Sequence, residues 1–338
     1  MRYNGKIILL VFCLTLLLLT GCIVNTVISK TTIGNVENQE DINQSSNNYQ
    51  SSSACSVQEP TEKPETENPQ KWPGSTGFNT WYGYAPGVAD TWLENEFTEI
   101  RDLRDYKDTI NVNSSKAAVL AANTKGLNFI WGVCSGSTTI TATNWPAFRQ
   151  AILDAAQWAQ DNGVYEFQIG NEEEWHVDGT TMTVDQIITN LKAVATEAKA
   201  IFTNGNVSYS CGHSFIDNWI ATGKGDLDIL ASNVYIGGEG YYTEGWKTEI
   251  TNLVNAFSVD GTYISEFAPS YSSIEDYSTD EKIQTAAVTE MIEHMKTAGI
   301  KRALYYCWHD YPGGILGVVK NDDTYRLLWS QALLNSGL

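Results

Sequence analysis

From Trp72 to Leu338 the chain repeats one pattern: a short apolar, β-prone run, a loop with polar or aromatic residues, then a helix-period segment often closed by glycine. The apolar runs predict eight strands, at Gly77 to Tyr82, Thr109 to Val112, Leu127 to Val133, Val164 to Ile169, Val207 to Cys211, Leu227 to Tyr235, Thr262 to Phe267 and Arg302 to Trp308. Helical spacing is clearest at Trp145 to Gln160, Val184 to Phe202, Trp246 to Phe257 and Glu281 to Ala298, each followed by a glycine stop signal at Gly163, Gly205, Gly261 or Gly299. Thr91 to Leu103 and a last segment, Thr324 to Leu334, also read as helices. Strict alternation of strand and helix implies a parallel sheet, and eight units in about 265 residues match an α/β fold of the closed (β/α)8 TIM barrel type. The alternative, an open doubly wound sheet, normally carries a glycine-rich phosphate loop after its first strand. Neither G-x-G-x-x-G nor G-x-x-x-x-G-K-[ST] occurs here.

A barrel places its chemistry at the carboxyl ends of the strands. Those ends read Trp81 and Tyr82, Asn111 and Asn113, Trp131, Asn171 and Glu172, His213, Tyr235, Glu266, and Trp308 with His309. Two of them deliver acids. Glu172 follows the run Phe167 to Gly170 and opens the cluster Glu172-Glu173-Glu174-Trp175-His176, while Glu266 ends an apolar strand terminated by Pro269. Glu173 and Glu174 are expected to face solvent or hold the loop. Strands four and seven lie on opposite sides of a barrel mouth, so Glu172 and Glu266 are the candidate catalytic pair. Opposed carboxylates suit the cleavage of an acetal: one, protonated, helps the leaving oxygen depart, and the other, ionised, attacks or steadies the anomeric carbon. Aromatic faces stack on the C–H surfaces of sugar rings, which makes Trp81, Trp131, Trp175, Tyr235 and Trp308 candidate binding residues, with His213 and His309 beside them.

The N-terminal segment changes the picture of where such a domain works. Residues 1–22 hold Arg2 and Lys6 ahead of an apolar run, Ile7 to Thr20, which is a signal-peptide pattern too short to span comfortably as a mature helix. Leu19-Thr20-Gly21-Cys22 resembles a lipobox, which implies lipid attachment at Cys22 and a domain held on the extracellular face of the membrane. Residues 23–71 are rich in Ser, Asn, Gln, Thr, Glu and Pro without an apolar period, the composition of a disordered tether with a reach of roughly 40 Å. Residues 72–338 then form the folded, monomeric unit. The formal charge is −19, which argues against nucleic acid or an anionic polymer as partner and is neutral on uncharged sugars. Cys134, Cys211 and Cys307 are too far apart in the chain for a metal-binding spacing and read as small buried hydrophobes, one disulfide being the alternative. His176, His213, His294 and His309 form no H-x-H or H-E-x-x-H pair, so no metal or other cofactor is expected.

Asn171-Glu172, Tyr235, Glu266 and Trp308, at the ends of strands four, six, seven and eight, together resemble glycoside hydrolase clan A, the retaining (β/α)8 glycosidases. The resemblance covers Trp72 to the C-terminus and includes the glycine-rich Gly313 to Gly317 loop ahead of the final helix. It implies that Glu172 is the acid/base and Glu266 the nucleophile, about 5 to 5.5 Å apart. By the same resemblance Asn171 binds the 2-hydroxyl, Tyr235 orients Glu266, and Trp308 floors the reacting subsite. The implied substrate is a neutral β-linked polysaccharide or oligosaccharide, with endo action favoured. Two departures stand out: many clan members carry an arginine at the end of strand two and a histidine at the end of strand three, where this chain reads Asn111-Val112-Asn113 and Trp131-Gly132-Val133. A sugar-binding protein without catalysis shares the anchor, tether and aromatic cleft, but does not need opposed acids.

Overall fold

The computed structural model describes residues 75–80, 89–107, 112–236, 245–269, 281–310, 316–320 and 323–336. All lie in one compact unit running from Pro64 to Leu338. The signal, lipobox and tether, together with Trp81, Tyr82 and Asn111, fall outside the described residues.

Eight parallel strands close into a barrel in sequence order: β1 Ser75–Asn79, β2 Glu99–Asp105, β3 Asn128–Cys134, β4 Glu166–Asn171, β5 Asn206–Gly212, β6 Ile229–Ile236, β7 Ile264–Pro269 and β8 Arg302–Tyr305. The helices between them are α1 Ala89–Glu94, α2 Val112–Lys125, α3 Trp145–Asn162, α4 Val184–Ile201, α5 Ile216–Thr222, α6 Gly245–Phe257 and α7 Glu281–Thr297. The chain ends in a wide π turn, Trp329–Leu333, and a 3-10 turn, Leu334–Ser336, in place of a regular last helix.

Seven of the eight expected strands are present with shifted ends, and the second is corrected. Val112 begins α2, not the end of a strand, and β2 lies earlier, at Glu99–Asp105, inside the stretch read as helix from Thr91 to Leu103. Helix α1 stops at Glu94. The cause is the polarity of the strand, Glu-Ile-Arg-Asp-Leu-Arg-Asp, whose interior face carries charge and whose hydropathy therefore resembles a solvated helix.

Period-two alternation sorts the strand residues into two cores. Phe129, Trp131, Val133, Phe167 and Ile169 point outward into the large core beneath the helices. Ile130, Ile229, Ala231, Tyr263 and Leu304 form a small separate cluster, which the alternation assigns to the barrel interior. The helices answer with matching stripes. In α3, Phe148, Ile152, Ala155, Ala156 and Ala159 are buried at helical spacing, and Gly163 ends the helix with φ 70°, a left-handed value that glycine adopts without strain. Helix α4 starts with a reciprocal capping box between Thr183 and Gln186.

The barrel floor is ionic. Arg302 at the start of β8 pairs with Glu99 on β2 and Glu166 on β4, both carboxylates being buried. Tyr263 donates its hydroxyl to Glu166 at 2.9 Å and stacks under the guanidinium, 4.3 Å from its ring centre. Burial alone would lower the Arg302 guanidinium, but Glu166 and Glu99 offset this and hold it well above its usual value. Two residues further along each strand the same face continues as Arg101 and Gln168, joined by a 2.7 Å hydrogen bond from Nε to Oε1. A column of paired polar groups thus runs up the barrel axis, where branched aliphatic layers are more usual.

Candidate active site

The column ends at the two expected acids. Arg101 is fully buried and divides its donors: Nη1 to Glu266 Oε1 at 2.6 Å and to Asn79 Oδ1 at 2.7 Å, Nη2 to Asn171 Oδ1 at 2.7 Å. Asn233 Nδ2 also donates to Asn171 Oδ1, at 3.1 Å. Asn233 is fixed in turn by the Ser210 and Ser265 hydroxyls, each 2.8 Å from its Oδ1. Tyr235 donates its hydroxyl to Glu266 Oε2. Burial, then the Glu266 charge, pushes the Tyr235 phenol well above its usual range, so it stays a donor. Glu266 is therefore the ion-paired member of the site, bound on one oxygen by a guanidinium and on the other by a phenol.

Glu172 is held differently. It sits directly after β4 in the left-handed region, φ 57°, ψ 32°, with its N–H donating to Ser210 O at 2.8 Å. Burial, then the Glu266 charge, pushes its carboxyl up to about 8, against a lowering hydrogen bond from Asn233. One carboxyl of the pair is thus kept protonated at neutral pH and the other is ion-paired, the division of labour that acetal cleavage requires.

Arg101 is the residue of this network that the sequence did not reveal: strand two does carry an arginine, at its third position and not at the end where the clan A resemblance looked for one. Asn79 and Asn233 were missed as well. The only local signal was the alternation of Glu99, Arg101 and Leu103 along a seven-residue strand, which the charges disguised.

The aromatic expectations divide. Trp131 faces away from the mouth, 0% exposed, against Trp158 at 4.5 Å and Phe167 at 6.3 Å, because its position has the outward parity of β3. Its assignment to the cleft is corrected. Trp308 lies three residues beyond β8 and is 5% exposed, packed edge-on against Phe78, Trp92 and Trp329 at 4.8 to 5.3 Å. Its ring is committed to that cluster and offers no face to a sugar. Tyr306 is half-buried and edge-on to Tyr235, whose hydroxyl binds Glu266, with ring centres 6.1 Å apart. Trp175, 46% exposed on Phe215 at 4.7 Å, stands at the rim. Trp308→Ala is expected to cost about 3 to 5 kcal/mol of stability in denaturant melts. Tyr306→Ala, by contrast, should leave the melt nearly unchanged and raise KM for any sugar substrate by about tenfold, consistent with a stacking contact of the order of 1 kcal/mol.

His213 is buried in the 3-10 turn after β5, and desolvation lowers its imidazole to about 4, so it is neutral and contacts the Ser214 hydroxyl at 3.0 Å. His309 is exposed, its ring 2.7 Å from Asp310 O. Neither is brought into the Arg101 network. Beside Glu172 a cavity of about 520 Å³ opens between the ends of β2 and β3, lined by Leu103, Arg104, Asp105, Ser137, Asn171 and His176. Cys134, Cys211 and Cys307 are buried and free.

Buried acids also set a pH response. Glu173 and Glu174, like Asp102 on β2, are raised by desolvation to about 7. A carboxyl whose native value lies above its unfolded one keeps a proton that the unfolded chain has released, so stability falls as pH rises from about 4 to 8. The chain is expected to melt at a higher temperature at pH 5 than at pH 8, as followed by circular dichroism.

No family model and no curated protein matches the sequence. Solved structures do match in shape. An exo-β-1,4-mannosidase from Opitutaceae bacterium strain TAV5 is 12% identical, with a TM-score of 0.57 over 81% of this chain and 62% of its own. A glycoside hydrolase family 5 enzyme from Prevotella bryantii B14 is 14% identical, with a TM-score of 0.59 over 79% and 95%. An endocellulase from Pyrococcus horikoshii, solved with cellotetraose, is 10% identical at a TM-score of 0.59 over 79% and 92%. This chain has their barrel. It spans less than two thirds of the mannosidase's own length.

Proposed function

We propose that this chain is a glycoside hydrolase that cleaves β-glycosidic bonds of a neutral oligosaccharide or polysaccharide by double displacement. The observation that carries the reading is the pair itself: a desolvated Glu172 just past β4 and a guanidinium-bound Glu266 on β7 share one hydrogen-bonded floor. Glu266 attacks the anomeric carbon and forms an ester bond to the sugar, while Glu172 gives its proton to the glycosidic oxygen, which leaves as an alcohol. Glu172, now a carboxylate, takes a proton from water. The resulting hydroxyl displaces Glu266, and both side chains return to their starting states. Asn171, oriented by Arg101 and Asn233, supports binding of the 2-hydroxyl. Tyr306 supports the sugar face in the place that sequence reasoning gave to Trp308.

The names of the similar structures, all sugar-cleaving enzymes, agree with this reading. The cavity between Arg104 and His176 is large enough for a further sugar unit beside the reacting one, which favours oligomeric substrates and endo action. The Leu19 to Cys22 motif supports acylation at Cys22 and a place on the extracellular face of the membrane. The test is hydrolysis of β-linked glucan, mannan, xylan and galactan and of aryl β-glycosides by the full chain, with the anomer first released read by NMR. Turnover with retention is the expected result. Turnover with inversion would overturn the role of Glu266, and binding without turnover would leave a sugar-binding protein.

A further inference from the structure

Two further glutamates follow Glu172, and the structure buries both instead of leaving them to solvent. Glu173 Oε1 accepts the N–H of Ser135, just past β3, at 3.0 Å, and that of Asn171, at the end of β4, at 3.1 Å. The Glu173 N–H donates to the Tyr209 hydroxyl at 2.9 Å, and that hydroxyl donates to Glu174 Oε2 at 2.7 Å. Glu174 Oε1 accepts the indole N–H of Trp219 on α5 at 2.5 Å. The Glu172–Glu173 peptide is therefore tied down through Tyr209, and the Glu173 carboxyl holds the Gly170–Asn171 peptide just before the acid. Gly170 makes the arrangement possible: a side chain there would place its Cβ 2.8 Å from the Tyr209 ring and 3.1 Å from Glu173 Cγ.

We propose that Glu173 and Glu174 are positioning residues for Glu172: two buried carboxyls that bind β3, β4, β5 and α5 to the turn and hold the acid in its left-handed conformation, aimed at the leaving oxygen. The inference rests on the glycosidase reading. A non-glycine residue at positive φ persists only when its surroundings over-determine it, and these bonds are that surrounding. Burying two carboxyls is costly for the fold, and a buried hydrogen-bond network that clamps the acid's backbone is a return a plain loop would not need.

The charges have a second effect. Glu172 faces Glu266 on β7, Glu174 on its own turn and Arg101 on β2. Glu174 is itself surrounded by Glu173, Tyr209 and Cys211, while Glu173 faces Cys134 and Tyr106. An ionised Glu174 raises Glu172 and so favours its acid form. Glu173→Gln and Glu174→Gln, in the full chain, keep volume and remove charge. Both are expected to lower kcat by about 10- to 100-fold with KM little changed. Glu174→Gln should also move the alkaline limb of kcat to lower pH, which a merely structural loss of folded protein would not do. Circular dichroism of each variant separates unfolding from misalignment, and Glu174→Asp, which restores the charge, should return the limb toward its wild-type position. Wild-type activity with unchanged kcat and pH profile in both glutamine variants would overturn the inference. A wild-type chain inactive on every sugar tested would instead remove the glycosidase reading on which it rests.

Discussion

Glu266→Ala is expected to reduce kcat by at least about 10⁴-fold on every substrate that the wild-type chain cleaves, the scale on which losing a nucleophile acts. The loss follows from what remains. Asn171 and Tyr306 still meet the sugar, but no atom is placed to form the ester bond. The substitution also leaves the Arg101 guanidinium buried without its anion, and removing one partner of such a pair costs about 3 to 5 kcal/mol. The melt must therefore be recorded beside the rate, at a temperature where the variant is folded. The vacated space admits a small anion. Added azide should restore cleavage of aryl β-glycosides, giving a glycosyl azide of inverted configuration, since the external nucleophile attacks the face that Glu266 occupied. Full activity in Glu266→Ala, with the fold intact, would remove Glu266 from the mechanism.

Glu172→Gln should behave differently with different leaving groups. For a sugar or alkyl leaving group, which needs a proton, kcat is expected to fall by about 10²- to 10⁴-fold, the usual contribution of a general acid. For an acidic phenol the first step needs little protonation and should be nearly unaffected, so the glycosyl-enzyme accumulates and a burst of phenol precedes slow turnover. The pH profile gives an independent check. Because activity requires protonated Glu172, the wild-type rate should fall as pH rises through about 8. Glutamine cannot lose that proton, so the alkaline limb should vanish in the variant. A limb that persists unchanged would assign it to another group.

The parts of this site that could be read along the chain are those whose signal is local. Glu172 directly follows an apolar strand and Glu266 lies within one, both of ordinary composition, and the alternation of strands and helices around them fits few folds other than a closed barrel. Tyr235 was legible for the same reason, as the penultimate residue of β6.

Arg101 was not legible, because its meaning depends on partners far along the chain. Its guanidinium is neutralised by Glu266, 165 residues away, and Glu99 two positions earlier by Arg302, 203 residues away. A strand whose buried face is charged contradicts every local hydropathy rule until its counter-charges are in place. Trp131, Trp308 and Tyr306 illustrate the second limit. All three lie on or just past a strand and all are aromatic, so composition and position along the chain cannot rank them. Strand parity sends Trp131 outward, the Phe78 and Trp92 cluster takes Trp308, and Tyr306 remains beside Tyr235, which binds Glu266. The three glutamates after β4 are chemically identical in the chain. Ser135, Tyr209 and Trp219, brought together only by closure of the barrel, bind the carboxyls of two of them and leave the third facing Glu266 and Arg101. Periodicity along one segment was enough to specify the elements and their order. Which polar groups share a buried volume was decided by the closed sheet, since the energy of a charge inside a protein depends on what stands opposite it.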